Sequence, residues 1–253
     1  MQESNTNKNL TPEEENNDII KKVQLHLNRH LPFRSISASF WTYFVVFFGI
    51  YFVFTIFFNN VFLTATPVQG ASMYPTINKQ YTLSQNQNDM DVAYIFNTKN
   101  VDRGDIVTFT ANNYTGQDKI YIKRIIAKEG DTIQFVKKSE AFNTSIESFV
   151  KCDVFLNGQK LNENYILEDT LIQLSGYDYS NNEFYRNLAN GITTTVPKDH
   201  YFVMGDNRNN STDSRYFGFV NKNDICGKMV ILVESGHTIF YGIYHSIKKD
   251  YLF

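Results

Sequence analysis

Cysteine is almost missing from this chain. Cys152 and Cys226 are its only two among 253 residues. That is too few for the disulfide framework that staples small secreted domains, and too few for a cysteine-built zinc site. The two form one bridge or remain separate thiols, and the sequence leaves both open. Histidine is scarce as well: five residues, with no metal-ligand spacing among them. The chain is therefore read as needing neither metal nor cofactor. Net charge is close to balance at −2, which excludes the broad positive field of a nucleic-acid binder. No internal repeat is found. Charge of either sign is missing altogether between Ser35 and Asn78.

That uncharged gap holds the longest apolar run in the sequence. From Phe40 to about Phe58 it is nearly all Phe, Val, Ile and Tyr, long enough to cross a hydrocarbon layer about 30 Å thick. Trp41 and Tyr43 stand where an interfacial aromatic belt lies. A soluble core helix is not apolar on every face for so long. A cleavable secretory signal fits poorly, because the apolar core is too long and starts too far from the N-terminus. The run reads as an uncleaved anchor over residues 39–62. Lys21, Lys22, Arg29 and Arg34 precede it without an intervening acid, which places the N-terminus in the cytoplasm and residues 63–253 outside. Residues 1 to about 20, polar and acidic, read as a mobile tail. Residues 21–34 read as a basic flank or a short amphipathic helix at the membrane surface. Together 1–38 form the cytoplasmic segment.

Just beyond the anchor lies Gly70-Ala71-Ser72-Met73-Tyr74-Pro75-Thr76. Gly, Ser and Pro are ordinary turn residues, but the stretch also holds a hydroxyl out of a loop. The short link from the anchor keeps Ser72 within roughly 25–40 Å of the bilayer. The chain then turns to short strands punctuated by Gly and Asn. Strands are expected at 106–109, 120–126, 132–136, 154–156, 201–204 and 228–233, with turns at Asp102–Asp105, Asn112–Gly116 and Glu129–Asp131. Asn157-Gly158 signals a hairpin. Residues from about 137 to 195 are less regular and read as an inserted β-rich cap. The fold class is mainly β and antiparallel. The stretch after Thr238, with Phe240, Tyr241 and Tyr244, packs on the domain or touches lipid.

A serine hydroxyl needs a base to act at neutral pH. Lys123 sits in an otherwise apolar strand and shares a face with Tyr121 and Ile125. Turned inward, it loses hydration of its charged form and its pKa falls; turned outward, it is a solvated lysine. The loop Gly205–Arg215 packs Asp206, Arg208, Asp213 and Arg215 among Asn, Ser and Gly. Two Asp/Arg pairings within it would fix its shape by charge-assisted bonds. Ser211 is a hydroxyl suited to orienting an amine. His200, at a strand entrance, is the alternative base of a Ser–His hydrolase. Asn-x-Ser/Thr triplets begin at Asn113, Asn143, Asn209 and Asn210; a glycan at either of the last two would crowd the Gly205 loop.

Several blocks together resemble the bacterial type I signal peptidases, of the shorter, single-span Gram-positive type. Ser72-Met73-Tyr74-Pro75-Thr76 is similar to their serine box, Arg103-Gly104-Asp105-Ile106-Val107 to their RGDIV box, and Tyr121-Ile122-Lys123-Arg124 through Gly130-Asp131 to their lysine box. Gly205-Asp206-Asn207-Arg208 through Ser211, Asp213, Ser214 and Arg215 is similar to their last box. The resemblance implies a membrane-anchored Ser/Lys endopeptidase on an antiparallel-β catalytic domain, cutting signal peptides from exported preproteins. Membrane lipid is its neighbour, the export machinery an optional partner, and nucleic acid no partner. By position it makes Ser72 the nucleophile and Lys123 the general base. Ser211 would hydrogen-bond the amine, and Asp213 with Arg215 would form a supporting pair. Val68, Met73, Tyr121 and Ile122 would line the pockets for small residues before the cut. The oxyanion would be held by the backbone of Ser72, with Gly70 standing where some members carry a hydroxyl donor. The competing readings are a soluble self-cleaving Ser/Lys protease, which the anchor disfavours, the Ser–His hydrolase, and a membrane-tethered, non-catalytic β-domain that binds peptides or cell envelope.

Overall fold

The computed structural model describes residues 11–30, 38–138, 140–143, 148–175, 180–239 and 242–243. Two compact units emerge, residues 1–57 and 58–253. In the first, helix α1 spans Pro12–His30, so residues 12–20 are helical where the composition suggested a mobile tail. The reason is the glutamate half of a capping box. Thr11 N–H and Oγ1 both donate to Glu14 Oε2, at 2.9 and 3.1 Å, and Pro12 occupies the first helical position, where its missing N–H costs nothing. The acidic run that looked like tail composition suits the positive end of the helix dipole. Asp18 and Lys22 add a pair one turn apart at 2.8 Å.

Helix α2 spans Ala38–Phe62 and coincides with the expected anchor. Its side chains are described over residues 40–56 and lie open rather than packed. Among the described residues no helix is long and apolar enough to cross a membrane. Residues 21–30 of the expected flank are helical within α1, whereas the expected tail 1–10, the end of the flank with Arg34, and the C-terminal aromatics Phe240, Tyr241 and Tyr244 lie outside the described residues.

The second unit is built on a seven-stranded antiparallel sheet. Its strands are β1 (Leu63–Pro67), β2 (Val92–Phe96), β3 (Ile106–Thr110), β4 (Ile120–Lys128), β11 (His200–Met204), β12 (Val220–Asn221) and β13 (Ile225–Val233), in the order β1-β2-β13-β3-β4-β11-β12. A second sheet contains β5 (Thr132–Lys137), β6 (Phe142–Asn143), β7 (Ser148–Leu156), β8 (Gln159–Lys160), β9 (Thr170–Gln173) and β10 (Thr194–Thr195), all paired on or beside β5 and β7. Asn157 and Gly158, both at positive φ, turn β7 into β8, as the Asn-Gly pair implies. The less regular stretch thus folds largely as this second sheet plus a helix, Glu183–Ala189. It shares one core with the main sheet: Phe135, Val150, Val154 and Leu188 pack with Ile126, Phe202 and Met204. β2, β9 and β10 had no clear sequence signal, because they are short and bounded by ordinary polar residues.

Two further clusters fill the faces of the main sheet. Val68, Met73 and Ile77 lie against Ala93, Ile95, Ile106, Met229 and Leu232. Val107, Phe109, Ile125, Val203 and Ile225 form the other. Two of the unpaired strand edges lie beside the Gly70 stretch and Lys123. β1 is terminal in the sheet, and β11 pairs with β4 only from Arg124 onward, so Ile120–Lys123 has a partner strand on one side alone. The cysteines are both free. Cys152 is buried, Cys226 is half-buried, and burial raises the pKa of each thiol.

At Gly227 the register of β13 shifts as its backbone presses against β2. A methyl there would overlap the Phe96 carbonyl and stand 2.7 Å from Ile95 Cγ2. Gly227→Ala is expected to destabilise the domain by about 1–3 kcal/mol, read as a fall of several degrees in the calorimetric Tm of the full chain in detergent.

Candidate active site

The loop from Val68 to Asn78 is held by side chains the sequence did not mark. Asn78 is fully buried at φ +62, a left-handed conformation that Asn tolerates better than most residues. Its amide donates to the carbonyls of Val68 at 2.6 Å and Gly70 at 2.9 Å. Asp91 accepts from the Asn78 N–H at 2.6 Å and from the Ser235 N–H at 2.9 Å. From the opposite side Asn207 donates its N–H to the Ser72 carbonyl and its amide to the Ala71 carbonyl, each at 3.0 Å. Thr76 donates its hydroxyl to Asp206. The loop is clamped on both flanks, and Ser72 stands between them.

β4 delivers Lys123 to the same point. Its Nζ lies 2.8 Å from Ser72 Oγ and 2.9 Å from the Ile122 carbonyl. The residue is 4% exposed. Burial is the chief cause that lowers the amine from 10.5 to about 8, against the carboxylates of Asp213 and Asp206, which hold it up. Between folded pKa about 8 and unfolded pKa 10.5 the unfolded chain binds the extra proton, so this group adds stability as pH rises through that window.

The Gly205 loop differs from the expected pairing in one half. Arg215 does grip Asp213, with Nε–Oδ1 at 2.8 Å and a second bond at 2.9 Å. Buried Asp213 would rise in pKa from desolvation, but the Arg215 charge and bonds outweigh this and lower it. Asp206 does not pair with Arg208. It takes two bonds from Arg124, at 2.8 and 2.7 Å, while Arg208 turns to Glu163 in the stretch between β8 and β9. Two residues apart is a workable reach for Asp213 and Arg215, but Asp206 and Arg208 point to opposite walls. The Ser211 bond to the lysine amine is likewise not formed. Ser211 Oγ is buried with no hydrogen-bond partner among the described residues; it lies near enough to Asp213 to favour its charge without bonding geometry.

A cavity of about 700 Å³ opens onto Ser72 and Lys123. Val68, Gly70, Tyr121 and Ile122 line it, as do Thr66, Tyr81 and Thr108, which sequence reasoning passed over. Met73 does not; it is 1% exposed in the cluster beneath the loop, because the turn directs it inward. Gly70 adopts φ +85. The N–H groups of Gly70 and Ser72 donate to no described residue. His200 is distant from this chemistry: its Nδ1 meets the Lys198 carbonyl at 2.7 Å and its other nitrogen faces Asn221. The Asn209 side chain braces the loop against Glu168, Asp169 and Leu171. Among the described residues no cluster of His, Cys, Asp and Glu suits a metal.

The family model described as signal peptidase, peptidase S26, matches residues 41–233. The chain belongs to that family. Signal peptidase I S of Bacillus subtilis (strain 168) is 33% identical over 171 residues, 67% of this chain and 76% of that protein. Signal peptidase IB of Staphylococcus aureus (strain N315) is 29% identical over 170 residues, 66% of this chain and 75% of that protein. A solved signal peptidase I from Enterococcus faecalis V583 aligns at 25% identity and a TM-score of 0.34, covering 51% of this chain and 96% of that one.

In this signal peptidase family member the fit between the serine loop and the Gly205 loop is tight enough to test. A methyl on Gly205 would overlap both the Ser72 carbonyl oxygen and Ser211 Oγ, and the carbonyl has no rotamer to escape into. Gly205→Ala is expected to lower kcat about 100-fold, as misplacements near 1 Å do, with a near-native circular dichroism spectrum. Lys123→Met removes a buried amine at the cost of the Ser72 contact. It is expected to raise stability at pH 7 by about 1–3 kcal/mol in denaturant titration.

Proposed function

We propose that this chain is a signal peptidase that cuts the signal peptides of exported preproteins, with Ser72 as nucleophile and Lys123 as general base. One observation carries the assignment of roles: a buried amine of lowered pKa stands 2.8 Å from a serine hydroxyl at the end of an open cavity. Two unpaired edges, β1 and Ile120–Lys123, both lead to that hydroxyl and suit an extended peptide that adds as a strand. Val68, Tyr121 and Ile122 offer apolar surface for the small residues ahead of the cut.

The reaction follows from the atoms present. Neutral Lys123 takes the Ser72 proton as Oγ attacks the scissile carbonyl carbon. The developing oxyanion turns to the unengaged Ser72 N–H, and Gly70, with no side chain in the way, lets the peptide approach closely. Lys123 returns the proton to the leaving amine, which departs and leaves an ester on Ser72. Lys123 then takes a proton from water, whose oxygen attacks the ester; the bond between Ser72 Oγ and the acyl carbon breaks, Lys123 returns the proton to Oγ, and the new C-terminus is freed. Asp213, fixed by Arg215, keeps a negative charge near the amine without bonding to it.

The chain is anchored by α2 as a single span, on the strength of its 25 helical residues and the absence of charge between Ser35 and Asn78. Residues 1–38 lie in the cytoplasm and 63–253 outside, with 137–195 as the cap. Membrane lipid surrounds the span, and the export machinery supplies substrate.

The test is cleavage of one exported preprotein by the full chain in detergent. Ser72→Ala is expected to lose activity by about 10⁴-fold or more. Lys123→Arg, which keeps charge but offers no neutral amine, is expected to be equally inactive. Wild-type kcat/KM should climb with pH through about 8 and then level, since only the deprotonated amine is a base. A normally active Lys123→Arg chain would refute the assignment.

A further inference from the structure

The cavity floor carries a hydroxyl that the chemistry above does not use. Thr108 lies on β3 directly across from Ile122 of β4, one position from the residue that meets Ser72. It is 5% exposed, and its small opening faces the cavity that Ser72 and Lys123 share. Its hydroxyl has no hydrogen-bond partner among the described residues, and it is not sealed away from the cavity as Ser211 Oγ is. Its neighbours on that face of the sheet, Ile106 and Ile122, are apolar. A strand threonine in such company has an isosteric apolar alternative, valine, that would leave no polar atom to satisfy.

We infer that Thr108 forms a hydroxyl-selective subsite: it hydrogen-bonds a serine or threonine side chain of the substrate two residues before the one that bears the scissile carbonyl. The reasoning rests on the function proposed above. The attacked carbonyl belongs at Ser72, so the residue bearing it sits at the end of the cavity. In an extended peptide the next side chain on the same face belongs to the residue two places earlier, about 6.6 Å back along the strand. The same cavity is lined by Thr66, Tyr81, Ile120 and Ile122, and Thr108, across the sheet from Ile122, brings a hydroxyl to that lining. Alanine is accommodated there and leaves the hydroxyl unpaired. Serine pairs with it as donor or acceptor, because each hydroxyl can play either part. A neutral hydrogen bond of this kind shifts selectivity by about three- to tenfold.

The experiment uses two synthetic peptides, each with an apolar segment and a small-x-Ala sequence before the cut, differing only in Ala or Ser at the position two before the scissile residue. A third peptide carries Ser at the scissile residue itself. The full chain in detergent is expected to favour the Ser peptide over the Ala peptide in kcat/KM by about three- to tenfold. Thr108→Val should erase that ratio with little change toward the Ala peptide, and Thr108→Ser should restore it. The same order of affinity should appear when Ser72→Ala protein is titrated with the peptides without turnover. No cleavage with this binding preference intact would remove the proposed catalysis and leave the subsite standing. Equal ratios in wild type and Thr108→Val, or a Thr108-dependent preference that appears at the scissile residue instead, would overturn it.

Discussion

Everything at this site depends on one amine being kept from water. Lysine in solvent is charged far above neutral pH and has no lone pair to offer. Lys123 is nearly sealed between strands and loop, and that burial brings its pKa to about 8, where roughly one molecule in ten is neutral at pH 7. The nearby carboxylates of Asp213 and Asp206 work against this, so their charge has to be spoken for. Arg215 holds the first and Arg124 the second. The paired charges around the dyad therefore temper the field at the amine as well as shaping the loop. Were either arginine neutralised, the adjacent carboxylate would draw the Lys123 proton more strongly and leave less of the amine neutral.

A buried ion pair is a poor way to gain stability, because desolvation offsets most of the attraction. This site contains three, Arg124–Asp206, Arg208–Glu163 and Arg215–Asp213. What they supply is direction. Each arginine has several donors in one plane and spends the spare ones on backbone: Arg124 on the Gly104 carbonyl, Arg208 on the Gly205 carbonyl, Arg215 on the Arg208 carbonyl. Two of these carbonyls belong to the Gly205 loop, whose peptide planes are thereby fixed beside the serine. Apolar packing has no such directional grip on carbonyl groups.

Much of this was legible in the sequence, and the limits have physical causes. The strand run Tyr121–Ile126 announces itself by alternation, and the inward lysine is visible as a polar residue in an apolar pattern. The pairing of Asp213 with Arg215 is visible because the partners are two residues apart. Asp206 and Arg208 show the limit of that logic: their partners, Arg124 and Glu163, come from 82 and 45 residues away, and no local spacing encodes them. Asn78 and Asp91, which hold the serine loop, resemble ordinary turn residues until their burial is known. At the N-terminus, by contrast, the signal was present in Thr11, Pro12 and Glu14 and was outweighed by composition; capping chemistry was the better guide there.

The stretch from about 137 to 195 carries little sequence pattern, since its strands are short and its residues polar. Its placement ties it to the site all the same. Tyr165, from the stretch between β8 and β9, lays its ring 4.2 Å from the Arg124 guanidinium, and Glu163 holds Arg208 from the same stretch. These contacts press on the two arginines that reach Asp206 and the Gly205 carbonyl. Arg124 leads through Asp206 to Thr76 in the serine loop, and Gly205 sits under the Ser72 carbonyl. A short segment between β8 and β9 thus bears on both flanks of the serine through these arginines. Since side chains in a packed interior have few alternative arrangements, residues 163–165 help to set the hydroxyl's position through Arg124 and Arg208.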